Sequence, residues 1–178
     1  MTSLDSGAPV YTGIDDLTVD LADGVLSVTM NRPDSLNSLT QPMLATIADT
    51  LHRAASDPQV KLVRLGGAGR GFSSGAGMSE DDHAEGSTNG SPADVLDAAN
   101  RAARAIVNLP QPVVAVVQGP AAGVGVSLAL ASDVVLASEK AFFMLAFTKI
   151  GLMPDGGASA LIAAAVGRIR ATRMALLA

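Results

Sequence analysis

From Leu17 onward, apolar and polar positions alternate in two short runs, LTVDLA and VLSVTM, separated by the corner Ala22-Asp23-Gly24. Alternating runs around an Asp-Gly corner predict a β-hairpin, because both corner residues tolerate the positive φ that tight hairpin turns require. Pro33 ends the second run. After Thr40 the period lengthens. Met43, Leu44, Ile47, Leu51 and Ala54 recur three and four apart, which predicts a helix with Thr40 as its N-cap. VKLVRLGG is of strand type, and Val95, Leu96, Ala99, Ala102, Ala103 and Ile106 mark a second amphipathic helix. QPVVAVVQG reads as a buried strand, GVGVSLALAS as a short helix and DVVLAS as another strand. AFFMLAFTKIGLMPDGGASALIAAAVG then supplies a turn and an apolar helix, and RIRATRMALLA stops inside a helical pattern. Strands alternating with helices predict an α/β fold.

Composition narrows the classes. The 178 residues suffice for one domain with a sizeable core, and 48% of them are apolar against 16% charged. Residues 1–16 read as a loose leader before a core at 17–178. The stretch AGRGFSSGAGMSEDDHAEGSTNGSPAD reads as a long Gly-, Ser- and acid-rich loop, a type that commonly carries function. With a net charge of −5 and no basic run, the chain lacks the clustered cations that nucleic-acid binding needs. It has no cysteine, which excludes disulfides and thiolate metal sites. The first residues show neither a basic nor an apolar signal region, and no apolar run reaches the roughly 20 residues of a membrane span. A soluble cytoplasmic protein is the expectation, with no membrane partner.

The glycine-rich segment GPAAGVGVSLAL, residues 119–130, invites three chemical readings. A dinucleotide fingerprint would need a third glycine where Leu128 stands, and its glycines should follow the strand directly. A nucleophile elbow at Ser127 would need a histidine downstream, yet His52 and His83 both precede it. Neither histidine has metal-ligand spacing, and no metal is expected; Glu80–His83 reads as a solvated charge run. The third reading is an oxyanion hole. Glycines let a turn approach a ligand closely, and the first N–H groups of the following helix point at it unpaired. That job depends on backbone geometry and not on the side chain at Ser127.

Four segments together resemble the crotonase superfamily, the enoyl-CoA hydratase/isomerase group. These are MNRPDSLNSLT, LGGAGRGFSSGAGM, VVAVVQGPAAGVGVSLALASDVVLASEKAFF and FTKIGLMPDGGAS, which follow the family's motifs in order and spacing. The resemblance implies a spiral of ββα repeats that binds an acyl-CoA thioester, with coenzyme A entering as part of the substrate and no separate cofactor. It places the thioester carbonyl between the backbone N–H groups of Ser38 and Val124, the latter made approachable by Gly123. It places the adenine site along Leu36, Ser74, Gly75, Ala76, Gly77 and Met78. It also implies a further helical C-terminal region, which this chain lacks, and assembly as a homotrimer or a dimer of trimers.

The two glutamates of the family's hydratases align with Ser127 and Phe147. Neither side chain is a carboxylate, so the resemblance implies a disabled hydratase mechanism. Asp155, in GLMPDGG, matches the place where some family isomerases carry a single acid/base. Phe147, Met144, Leu145 and Leu152 would then shield it from water and raise its pKa. Asp155 is equally suited to cap the helix that follows it. Ser127 reads as a small residue filling a gap at the helix start, hydrogen-bonded to nearby backbone. The expected function is therefore double-bond migration in an enoyl-CoA with Asp155 as acid/base. The alternatives are hydration by another base, such as one from the Glu80–Asp82 loop, or a catalytically silent acyl-CoA binder.

Overall fold

The computed structural model describes residues 11–77 and 90–177. The hairpin forms as its pattern predicts: β1 (Leu17–Ala22) pairs antiparallel with β2 (Val25–Met30), and the corner holds Asp23 and Gly24 at φ +52° and +82°. From β2 onward every pairing is parallel. β3 (Leu62–Gly67), β4 (Val113–Val117) and β6 (Val134–Ala137) extend one sheet in the order β1-β2-β3-β4-β6. The run QPVVAVVQGPAA breaks after Val117, and β5 (Pro120–Ala122) turns into a second, smaller sheet. There it pairs with β7 (Phe142–Met144), a strand hidden within an apolar stretch. Single bridges Ser73↔Ala121 and Leu39↔Ala76 carry this second sheet across to the earlier turns. Each repeat thus leaves a strand in the large sheet, a short piece in the small one, and a helix outside.

Two of those helices are amphipathic and well anchored. In α1 (Gln41–Ala54) the Thr40 hydroxyl accepts the Met43 N–H, and Met43, Leu44, Ile47, Leu51 and Ala54 are all buried. α2 (Pro92–Val107) opens on a reciprocal capping box, Ser91 with Asp94. Leu96 departs from the expected stripe and stays exposed at 39%, while Ala98 and Ala105 are buried. The two helices cover one face of the large sheet, where Leu26, Val28, Val63, Leu65, Val113 and Ala115 form the core. Burying such side chains stabilises by about 1.5–3 kcal/mol each. α3 (Val124–Ala131), α4 (Ala158–Val166) and α5 (Arg168–Leu176) complete the described chain.

The stretch read as a loose leader is anchored from Tyr11 onward. Tyr11 Oη donates to Asp57 Oδ2 at 2.9 Å, and Ile14 bridges Leu17. Among the described residues, no helix is long and apolar enough to cross a membrane.

Candidate active site

The small sheet brings the two glycine-rich segments together. Ser73 is fully buried; its Oγ donates to the Asn37 carbonyl at 2.9 Å and accepts the Gly75 N–H at 3.1 Å. α3 packs directly on this loop. A Cβ on Gly125 would stand 2.8 Å from the Ser73 Cβ, so only glycine permits the contact. This close approach sets Ser74, Gly75 and Ala76 against Gly123 and Val124 across a cleft of about 90 Å³. The other walls are Ala146, Phe147, Ile150, Leu152 and Asp155.

Among the described residues, two backbone N–H groups of the cleft lining, those of Val124 and Ala76, have no acceptor. Gly123, at φ +50° and ψ −125°, precedes α3 and offers no side chain to cap it, which leaves the Val124 N–H at the positive end of the helix. Gly123 is itself held in place, since its N–H donates to the Met144 carbonyl at 3.0 Å. The second group belongs to Ala76. In its parallel bridge with Leu39, the Leu39 N–H donates to the Gly75 carbonyl and the Gly77 N–H donates to the Leu39 carbonyl. That pattern turns the N–H of Ala76 away from Leu39.

Ser38, the donor expected from the sequence, is not among the walls of the cleft. Its N–H donates to Ser35 Oγ at 3.4 Å, and Arg32 Nη1 donates to its carbonyl and hydroxyl at 3.1 and 2.9 Å. The loop around Leu36 and Asn37, both at positive φ, holds Ser38 in this internal network. Ser38 thus sits in this internal network and not on the cleft wall, where Ala76 stands. Sequence spacing concealed this, because the bridge that turns Ala76 is a single residue pair and has no periodic signature.

The rest of the expected binding stretch is assembled. The Ser74 N–H donates to the Leu36 carbonyl at 2.8 Å, which joins the two segments, while Ser74 Oγ donates to the Ser35 carbonyl at 2.9 Å. Gly77 follows on the same bridge. Met78, Glu80, Asp82 and His83 lie outside the described residues.

Asp155 lines the same cleft. Burial pushes its carboxyl above the ordinary carboxylate range, opposed only weakly by its own backbone N–H. Its Oδ1 is buried without a hydrogen-bond partner. The alternative of a helix cap is overturned: α4 has Gly157 at its N-cap and no side-chain cap, because two residues at positive φ, Gly156 and Gly157, carry the chain past Asp155. Phe147 and Leu152 flank the carboxyl as expected. Met144 and Leu145 do not. They line grooves against α5 instead, with Arg173 and Met174 beside Met144, and Ala171 and Ala175 beside Leu145. Ser127 is fully buried, and its hydroxyl donates to the Asp155 carbonyl at 3.1 Å, a partner 28 residues away. The arrangement can therefore hold a carbonyl oxygen on one side and exchange a proton on the other.

Residues 20–178 match the family described as Enoyl-CoA hydratase/isomerase. Over 157 residues the chain is 40% identical to the 1,2-epoxyphenylacetyl-CoA isomerase of Escherichia coli, covering 86% of this chain and 59% of that one. It is 31% identical to the trans-2-decenoyl-[acyl-carrier-protein] isomerase of Streptococcus mutans, covering 90% of this chain and 62% of that one. The crystal structure of an enoyl-CoA hydratase from Mycobacterium avium subsp. paratuberculosis superposes with a TM-score of 0.85 at 67% identity, covering 93% of this chain and 65% of that one. The chain thus spans about three fifths of the length of the curated relatives it matches.

Proposed function

The chain belongs to the enoyl-CoA hydratase/isomerase family, and from that premise we propose that its site moves the double bond of an enoyl-CoA thioester. The observation that carries this reading is one cleft lined both by two backbone N–H groups without an acceptor among the described residues and by a half-buried carboxyl whose Oδ1 has no hydrogen-bond partner. The thioester oxygen is held by the N–H groups of Ala76 and Val124. Asp155 removes a proton from the carbon next to the carbonyl, and the electron pair moves onto that oxygen as a dienolate. Each N–H that meets the developing charge is worth about 2.7–4 kcal/mol. The proton then returns to the carbon two positions further along. No atom is gained or lost, so one carboxyl suffices.

Water addition makes a larger demand. It calls for groups that hold and activate the water, and the resemblance puts the family's two hydratase carboxylates at Ser127 and Phe147 of this chain. The first hydroxyl is committed to the Asp155 carbonyl, and the second side chain is a phenyl ring. The raised pKa of Asp155 favours proton transfer, because a base works best when its pKa lies near the working pH. Coenzyme A enters with the substrate, its adenine end along Leu36, Ser74 and Gly77. One of the relatives is named as a trans-2-decenoyl-[acyl-carrier-protein] isomerase, which supports the same reading.

The deciding experiment compares wild type and Asp155→Asn on 3-hexenoyl-CoA and 2-hexenoyl-CoA. Conversion of the first to the second, reduced about 10²–10⁴-fold by the substitution, is the expected result. Hydration of 2-hexenoyl-CoA that survives Asp155→Asn would sink the proposal in favour of another base. Acyl-CoA binding without turnover of either compound would point to a silent binder.

A further inference from the structure

Three observations converge on Ser127. The first is its surroundings. Every other residue of α3, VGVSLALA, is Val, Gly, Leu or Ala, and Ser127 is completely buried among them. A buried hydroxyl is tolerated only when it is paired. The second is its choice of partner. A helical serine or threonine ordinarily bonds back to the carbonyl four residues earlier. Thr46 does so with Pro42 at 2.8 Å, and Ser132 with Leu128 at 3.2 Å. Ser127 instead reaches out of its helix to the Asp155 carbonyl.

The third is the isolation of the loop that receives it. The Asp155 carbonyl also accepts the Ala158 N–H at 2.9 Å, which is a local bond within the turn into α4. Apart from the bonds into α4, which the loop directly precedes, the Ser127 hydroxyl makes the one hydrogen bond among the described residues that ties residues 153–157 to the rest of the fold. The fit is close. A Cβ on Gly156 would lie 3.2 Å from Ser127 Oγ and 3.7 Å from Val124 Cγ1. Val124 and Ser127 are three residues apart and so share one face of α3, separated by about 4.5 Å along its axis. One helical turn therefore carries the oxyanion donor at its start and the tether of the acid/base loop at its end.

We infer that Ser127 is a positioning residue that fixes Asp155 relative to the Val124 N–H, so that oxyanion and proton are handled at a set separation. This rests on the reading of Asp155 as the acid/base. Ser127 touches neither substrate nor proton. It acts through the peptide of Asp155, and it makes α3 the common ruler for both halves of the reaction.

The test uses the full chain with 3-hexenoyl-CoA as substrate, the same compound deuterated at C2, and hexanoyl-CoA as a binding probe. Ser127→Ala is expected to lower kcat on the order of 10-fold, below the ~100-fold that a 1 Å misplacement can cost. KM and the Kd of hexanoyl-CoA should stay within about twofold, as for a group that acts on the transition state alone. The deuterium isotope effect on kcat should rise, because proton removal becomes slower. Ser127→Cys keeps a weak donor in the same place and should recover part of the loss. If Ser127→Ala gives no folded protein, Ser127→Cys alone decides, with a smaller loss of kcat at unchanged Kd. A wild-type kcat in the folded variants overturns the inference. So does a loss of kcat that merely follows a matching loss of hexanoyl-CoA binding sites. Full activity of Asp155→Asn would overturn the acid/base reading and this inference together. An inactive Asp155→Asn beside a fully active Ser127→Ala would overturn the role of Ser127 alone.

Discussion

The helices α1 and α2 begin differently from α3. Thr40 and the Ser91–Asp94 box close the first turns of α1 and α2 with side-chain oxygens, and both helices carry a proline in that turn. α3 begins on Gly123, whose missing side chain closes nothing. Every helix start leaves backbone N–H groups without an intrahelical partner. In the two outer helices proline removes one such group and the cap side chain accepts another. In α3 the first is left facing a cleft, where a ligand oxygen can take it. An unclosed helix start that would be a defect in α1 is, in the proposed function, the working part of α3.

The contrast can be broken most severely at Gly123. Its φ and ψ lie where residues with a Cβ are strongly disfavoured, although the space around it is open: a Cβ would meet Gly75 and Phe147 only at 3.7 and 3.8 Å. Gly123→Ala should therefore rotate the Val124 peptide without a clash. We expect turnover of 3-hexenoyl-CoA to fall about 10²-fold or more, as when one oxyanion donor is lost. Steady-state kinetics beside a thermal melt would check this, and near-normal kcat would show that the Val124 N–H is dispensable.

The caps of the outer helices should respond in the opposite way. Thr40→Ala and Ser91→Ala are each expected to cost about 0.5–2 kcal/mol of stability with turnover per folded molecule unchanged. Urea titration and active-site counting on the same samples measure the two quantities.

The smallest effect sharpens the contrast at Asp155. Its carboxyl titrates above the ordinary range in the folded chain, so ionising it there is harder than in the unfolded chain. The resulting penalty is absent below the ordinary carboxylate pKa and grows as pH rises toward the raised value. It is fully present above that value. Asp155→Asn should thus melt slightly higher than wild type at neutral pH, and the difference should vanish in acid. Melting both proteins across that range tests the sign. A variant less stable at neutral pH would contradict a carboxyl penalised by burial.

The scaffold was legible because its signals are local. Thr40, the spacing of Met43 to Ala54 and the Asp-Gly corner each determine a structure within a few residues of themselves. The site was legible in part for the same reason, since Gly123 and Val124 form a helix start and Asp155 sits in a glycine turn. What escaped was set by contacts between turns. The Leu39↔Ala76 bridge, which turns the Ala76 N–H away from Leu39, is one pair across 36 intervening positions. The strand β7 is three residues long and as apolar as its neighbours, so no alternation announces it. The partner of Ser127 could not be read from α3 at all, because it lies on a loop two elements later. Asp155 as a cap was a sound local expectation that lost to the two left-handed residues after it.

The contact between Tyr11 and Asp57 has a use at the bench. The chain contains one tyrosine and no tryptophan. Burial and the Asp57 carboxylate push that phenol up to about 12, so it stays un-ionised through any ordinary buffer. All tyrosine emission therefore originates at one place, where the start of the described chain is held against the loop after α1. Fluorescence melts of this protein report when that clasp opens. They carry no direct signal from the cleft around Asp155, which calls for a probe of its own.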